Sequence, residues 1–245
     1  MVVLWCNDIG FKNIEAVLFD KDGTLADSHA FLKKLAGTRA YLLEQQVPGV
    51  ADSLMAAFGC QGEAYDPAGL MAVGTRYENE IAAATYVAAT GYPWGEALAV
   101  AKAAFSKGDR YFTRKAEFTP PFPHIPQLLQ DLFAAGVRIA VLSGDTTANV
   151  QDFLACYQLA SFVTWWDGSE KPPLKPDPQM VWHACQQLNV APANSIIIGD
   201  SVLDYQLAHR SQARGFVSVT WGGSPAISLA DVVLHHPDQL RLSPD

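Results

Sequence analysis

The sequence predicts an α/β fold in which a doubly wound parallel sheet is interrupted by an inserted all-helical subdomain. Short apolar runs recur that are continuous and do not alternate, as strands covered on both faces require. Helical segments separate most of them, which favours parallel pairing through crossovers. One stretch of roughly 90 residues carries no convincing strand at all, a length within the usual size of a domain.

The expected strands are residues 15–19, 137–142, 162–165, 195–198, 216–220 and 231–234. Between them, residues 126–135 place Leu128, Leu129, Leu132 and Phe133 on one side of a helix that Gly136 stops. Residues 147–157 carry Val150, Phe153, Leu154 and Tyr157 at helical spacing. Residues 178–188 open with Asp177 as cap and Pro178 as first helical residue. Inside the insertion, Phe31, Leu35, Thr38 and Leu42 follow a possible Ser28 cap. Asp66-Pro67 opens a second helix with Leu70, Val73, Tyr77, Ile81, Ala84 and Ala88 on one face, and Leu98, Ala101 and Phe105 mark a third. The prolines at 120, 121, 123 and 126 form a stiff return linker. The expected division is 1–26 with 118–245 for the α/β core and 27–117 for the helical insertion.

Composition excludes several classes. Of 245 residues, 49% are hydrophobic and 17% charged, so the chain is globular, with enough apolar mass for a core. A net charge of −8 without a basic stripe argues against nucleic acid as a partner. Cys6, Cys60, Cys156 and Cys185 are too dispersed for a zinc knuckle or redox pair and read as buried reduced thiols. The opening MVVLWC lacks a basic region and a cleavage site, and no run is long enough to cross a bilayer. The expectation is a cytoplasmic protein with no membrane partner.

Open α/β sheets bind ligands outside the carboxyl ends of their strands. Asp20 and Asp22 follow the first run, Ser143-Gly144-Asp145 the second, and Gly199-Asp200 the run ending at Ile198, with Asp204 one helical turn on. The loop after Trp165 leads to Lys175 in LKPDP. If Asp20, Asp22, Asp200 and Asp204 share a pocket, they cannot all stay ionised without cations. Lys175 is one such cation. A divalent ion completes the balance, and an all-oxygen ligand set favours Mg²⁺ over zinc.

Four blocks, FDKDGTL, VLSGD, KPDP and IIIGDSVLD, occur in this order and span most of the core. With them the chain resembles the haloacid dehalogenase superfamily, in its branch of Mg²⁺-dependent phosphohydrolases with a helical cap. The resemblance implies a Rossmann-like core and a phosphoglycolate phosphatase-like arrangement. The cap falls between blocks one and two, since about 115 residues separate Asp22 from the second strand and only about 30 separate Ser143 from Lys175. Such a cap would close over a small substrate and exclude water.

By the same resemblance, Asp20 is the nucleophile and a metal ligand, forming an aspartyl-phosphate. Asp22 is the acid and base and gives its carbonyl to the metal. Gly23 and Thr24 keep that loop tight. Ser143 and the Gly144 N–H hold phosphoryl oxygens, and Lys175 offsets charge. Asp200 binds Mg²⁺, and Asp204 stands behind it or binds through water. Dehalogenases and phosphonate-cleaving members lack an acid at the place of Asp22, so its presence narrows the chemistry to phosphate esters. Family members often carry a glycine near Ala213, which is absent here.

The expected partner is a small phosphorylated metabolite, such as phosphoglycolate or a sugar phosphate, and the chain is expected to act as a monomer or homodimer. A β-phosphoglucomutase-like isomerase uses the same core residues. A phospho-Asp signalling module also gathers acids and a lysine, but the Asp-x-Asp pair and the insertion argue against it. A scaffold keeping a dead site is disfavoured by the intact blocks. His183 reads as packing, and His235-His236 as solvent-facing. Arg39, Arg76, Arg110 and Arg114 read mostly as solvated helix faces. The pair Trp165-Trp166 fits either a site lining or plain packing.

Overall fold

The computed structural model describes residues 2–62, 64–169 and 171–244. The chain divides into two compact units, Met1–Ser28 with Thr119–Asp245 and His29–Phe118. The first unit begins with strands β1 (Val2–Cys6), β2 (Ile9–Phe11) and β3 (Ala16–Phe19). All four residues of β3 are buried, which explains its unbroken apolar run.

The second unit contains α1 (His29–Glu44), α2 (Ala51–Ala57), β4 (Cys60–Gln61), β5 (Ala64–Tyr65), α3 (Leu70–Val73), α4 (Arg76–Ala89) and α5 (Trp94–Asp109). Its core joins Phe31, Leu35, Leu43, Leu54, Phe58 and Phe105 to a run of alanines on α4 and α5. Those small side chains let the two helices pack closely.

The unit departs from expectation in three places. The helix opened by Asp66-Pro67 is two helices. Gly74 is extended, at φ −80° and ψ 145°, and a Cβ there would lie 2.6 Å from the Leu70 carbonyl oxygen. Thr75 then restarts the helix with a capping box, its Oγ1 accepting from Glu78 N at 3.2 Å and its N–H donating to Glu78 Oε2 at 2.6 Å. The break resets the helical phase. Val73 and Tyr77 are 46% and 62% exposed, and the buried stripe of α4 is Asn79, Glu80, Ala83, Ala84 and Val87. The unit is also not purely helical, because β4 and β5 form a two-residue antiparallel ladder too short to leave a periodic signal. Finally, Arg39 is not a solvated cation. It is buried with its Nη2 3.0 Å from Asp109 Oδ1 and its guanidinium 4.6 Å from the Phe105 ring centre.

The chain re-enters the first unit with α6 (Ile125–Ala134), β6 (Arg138–Leu142), α7 (Thr147–Cys156), β7 (Trp165–Asp167) and α8 (Gln179–Leu188). It finishes with β8 (Ser195–Gly199), α9 (Val202–Ser211), β9 (Gly215–Val219), β10 (Val232–Leu234) and β11 (Leu240–Pro244). Six strands form a parallel sheet in the order β10-β9-β8-β3-β6-β7. Ala16, Leu18, Ala140, Leu142, Ile197 and Phe216 face α8 and α9 in one core cluster. Val17, Phe19, Ile139 and Val141 alternate with them and are buried on the other face.

The strand expected at 162–165 lies three residues later. Phe162 N bonds the Leu159 carbonyl in a turn, and the ladder starts only where Thr164 N meets Ile139 O at 2.8 Å. Trp165 packs on the core cluster from this strand. In α8, Pro178 is the cap residue, one position later than expected, although Asp177 still accepts from Gln179 N at 3.0 Å. At the end of α9 the left-handed position is Gln212, at φ 59°. His183 lies on the exposed side of α8.

No local periodicity announces the remaining sheet, β11-β1-β2, which pairs the two ends of the chain antiparallel. Trp5 Nε1 donates to Ser243 Oγ across it at 3.0 Å. Among the described residues no helix is long and apolar enough to cross a membrane.

The capping box gives a test of the α3–α4 break. Thr75→Ala removes one half of it and should destabilise the helical unit by about 1 kcal/mol. Thermal denaturation by circular dichroism reads the effect, and an unchanged midpoint would show that the cap is dispensable.

Candidate active site

Strand register carries the predicted residues to one edge. Phe19 of β3 pairs with Val141 of β6 on one side and Ile198 of β8 on the other. The next residues outward are therefore Asp20, Leu142 followed by Ser143, and Gly199 followed by Asp200. Asp20 N still bonds the Ile198 carbonyl, at 2.9 Å, so its side chain is held by the sheet.

Beyond Asp20 the chain turns tightly. The Lys21 carbonyl accepts from Thr24 N, Leu25 N and Ala26 N at 3.3, 2.9 and 2.8 Å. Gly23 sits at φ 85°, and a Cβ there would lie 2.2 Å from Asp200 Oδ2. Thr24 is buried, but its Oγ1 has no hydrogen-bond partner among the described residues. Its backbone does the bonding, with Thr24 O accepting from Trp221 Nε1 at 2.8 Å.

At the centre lies the Lys175 ammonium, 2.6 Å from Asp20 Oδ1 and 2.6 Å from Asp204 Oδ1. Asp204 also caps α9, its Oδ2 accepting from Ser201 Oγ at 2.6 Å and Ser201 N at 3.1 Å. Asp200 Oδ2 accepts from Ser224 Oγ at 2.6 Å. One oxygen each of Asp20, Asp200 and Asp204 falls within 4.8 Å of the others. The second Asp20 oxygen, Oδ2, is buried without a partner.

The electrostatics follow from this crowding. Burial pushes the Asp20 carboxyl up to about 7; Lys175 pulls it down, while Asp204 and Asp22 push it further up. Burial raises Asp200 well above the usual carboxylate range, with Asp20 and Asp204 adding to the rise. Burial alone would lower Lys175, but Asp20 and Asp204 outweigh it and hold the ammonium above the ordinary lysine range. A buried lysine thus meets more carboxylate charge than it can neutralise. A buried Asp20 oxygen without a partner, in a carboxylate clustered with those of Asp200 and Asp204, suits a hard cation with oxygen ligands.

Asp22 and the second block form the adjoining wall. The Asp22 oxygens lie 2.9 and 2.8 Å from Lys21 Nζ. Ser143 is buried, and its Oγ accepts from Asp145 N at 3.1 Å. Gly144, the next residue in that turn, is exposed. Residues absent from the sequence reading also belong here, namely Lys21, Ser201, Trp221, Gly222 and Ser224. A Cβ on Gly222 would lie 2.4 Å from the Gly23 carbonyl oxygen, so the loop after β9 rests directly on the loop after β3. The strand-end rule that located Asp20 also points to this loop, since Trp221-Gly222-Gly223-Ser224 follows the buried run of β9.

Comparison with known proteins agrees with this geometry. A family model for haloacid dehalogenase-like hydrolases matches residues 14–211. The chain belongs to that family. It is 28% identical over 237 residues to the phosphoglycolate phosphatase of Salmonella typhimurium, covering 91% of this chain and 89% of that protein. It is 31% identical over 103 residues to the phosphoglycolate phosphatase of Psychrobacter arcticus, a match spanning only 42% of that protein and 39% of this chain. A crystal structure of a predicted phosphoglycolate phosphatase from Haemophilus somnus has the same fold, with a TM-score of 0.69 at 20% identity, covering 91% of this chain and 95% of that one. The chain is a phosphatase-type enzyme of the haloacid dehalogenase family, phosphoglycolate phosphatase-like in sequence.

The raised Asp20 carboxyl has a measurable consequence. Its folded value of about 7 lies above the ordinary 3.8. Between these values the folded protein holds a proton that the unfolded chain has released, so stability falls as pH rises through that window. In chelator, the stability of Asp20→Asn relative to the wild type should rise between pH 5 and pH 8 by on the order of 2 kcal/mol. Thermal melts at both pH values check this; an equal difference at both would refute it.

Proposed function

We propose that this protein is a Mg²⁺-dependent phosphatase that hydrolyses a small phosphate monoester through an aspartyl-phosphate on Asp20. The supporting observation is the Asp20 carboxylate itself, with one oxygen bound to Lys175 at 2.6 Å, the other buried and unpartnered, and the group clustered with Asp200 and Asp204. A carboxylate held at one oxygen and free at the other is suited to in-line attack on phosphorus. Phosphoglycolate, named for the relatives, and sugar phosphates are the substrates of first choice.

The chain's own groups then act in sequence. Ser143 and the Gly144 N–H receive the phosphoryl oxygens, and Lys175 balances the charge on Asp20. Asp20 attacks phosphorus, the bond to the leaving oxygen breaks, and Asp22 gives that oxygen a proton. Water then attacks the phosphorus, passes a proton to Asp22, and releases Asp20 and inorganic phosphate. The Asp20 and Asp200 carboxylates and the Asp22 carbonyl would hold Mg²⁺, which when bound supplies positive charge against the carboxylates and the phosphoryl oxygens. Positioning and charge do most of the work in such a transfer.

Phosphate release should be measured over a panel of metabolite phosphates, with Mg²⁺ and with chelator. Release should require Mg²⁺. Asp20→Asn should lose at least about 10³-fold in kcat, and Asp22→Asn about 10²-fold or more. Undiminished turnover by the Asp20 variant would defeat the mechanism. Transfer of phosphoryl to another sugar hydroxyl, with little free phosphate, would replace hydrolysis by isomerisation.

A further inference from the structure

Lys21 stands between the two acids of the first block, and the chemistry above leaves it without a task. Its side chain is nevertheless only 1% exposed. Burying an ammonium is costly unless specific partners receive it. Its partners are Asp22, at 2.9 and 2.8 Å, and Asp145 Oδ2, at 3.1 Å, and its Nζ lies 5.7 Å from the Phe153 ring centre. The ammonium therefore ties the loop after β3 to the loop after β6.

The far end of this link is itself fixed. Asp145 Oδ1 accepts from Thr146 N at 2.9 Å and from Asn149 Nδ2 at 2.7 Å. Asp145 N donates to Ser143 Oγ at 3.1 Å. Thr146 caps α7 through Asn149 N. Asp145 is thus a rigid bracket at the helix start, on the same turn that carries the phosphate-binding candidates. Asp22, by contrast, is a quarter exposed, and the terminal torsion of an aspartate side chain is intrinsically soft. A cation meeting both carboxylate oxygens removes that freedom. Each oxygen keeps a lone pair for a substrate proton.

We propose that Lys21 is a positioning residue for proton transfer. Braced by Asp145, it holds the Asp22 carboxyl group in the orientation that serves the leaving oxygen. The proposal rests on the phosphatase reading, because it assigns Lys21 a part in that reaction.

Leaving groups separate this role from a merely structural one. An alkoxide leaves poorly without a proton, whereas p-nitrophenolate is a stable anion and needs little help. The ratio kcat/KM reports steps up to loss of the leaving group, so it should be measured for the best alkyl phosphate of the panel and for p-nitrophenyl phosphate. The full chain with Mg²⁺ is used, as wild type, Lys21→Met and Asp145→Asn. Lys21→Met should lose about 10²-fold on the alkyl ester and at most about threefold on the aryl ester. Asp145→Asn should show the same preference in smaller measure. Equal losses on both esters, or no loss on either, overturn the proposal. If circular dichroism shows Lys21→Met unfolded, Asp145→Asn decides by the same ratio. A wild type that releases no phosphate, or an Asp20→Asn variant as active as wild type, sinks the phosphatase reading and Lys21's role with it.

Discussion

The buried ammonium of Lys175 is the constraint on which the catalytic edge depends. It arrives on the segment between β7 and α8 and binds acids from two other places, Asp20 after β3 and Asp204 in α9. Replacing it by an apolar group would leave Asp20, Asp200 and Asp204 clustered within one small volume without that cation. Losing one partner of such a buried set is far more damaging than never having built it. Even with Lys175 in place, burial first, and the neighbouring acids in addition, raise the Asp20 and Asp200 carboxyl groups. Such a set of clustered acids suits a further hard cation.

Close approach of the backbone follows from the same crowding. Gly23 must leave room for the Asp200 carboxylate, and a Cβ on Gly199 would lie 2.4 Å from Asp204 Cγ. Gly222 must leave room for the Gly23 carbonyl. These glycines lie in three different segments, yet each clears space for an acid or for the loop that bears one. Only at Gly23 does a positive φ add to the steric demand. Elsewhere the absence of a side chain, and not backbone freedom, is what the position requires.

Much of the parallel sheet was legible because its strands are buried on both faces and so read as unbroken apolar runs. The exception, β7, is informative. Its preceding turn is as apolar as a strand, since Val163 is buried and Phe162 stacks near Phe133, so composition alone could not place the boundary. The pairing of β11 with β1 was illegible for another reason: it joins residues more than two hundred positions apart, and such pairing leaves no local trace, while the β1–β2 hairpin has a second strand only three residues long. In the helical unit, one extended glycine shifted the buried face of α4, which an uninterrupted 3.6-residue count could not foresee. At the site, Asp20, Lys175, Asp200 and Asp204 were readable because each follows a strand or opens a helix at the sheet's carboxyl edge. Ser224 and Trp221 obey the same rule but offered no charge to draw the eye. Lys21 was hidden by its position, since a residue flanked by two notable acids reads as a spacer.

The two lysines place the acids of the Asp-x-Asp pair in distinct environments. Acids two residues apart on one tight loop would otherwise share a single electrostatic environment. Here each has its own ammonium, Lys175 at Asp20 and Lys21 at Asp22. Lys175 touches one oxygen of Asp20 and leaves the other bare, as the proposed nucleophile requires. Lys21 touches both oxygens of Asp22, as the proposed positioning role requires. The difference arises from direction alone: Lys175 reaches in from beyond β7, whereas Lys21 turns away from Asp20 to the bracket of Asp145 at the start of α7. Placing acids in separate environments is how a site makes chemically identical side chains perform unlike steps.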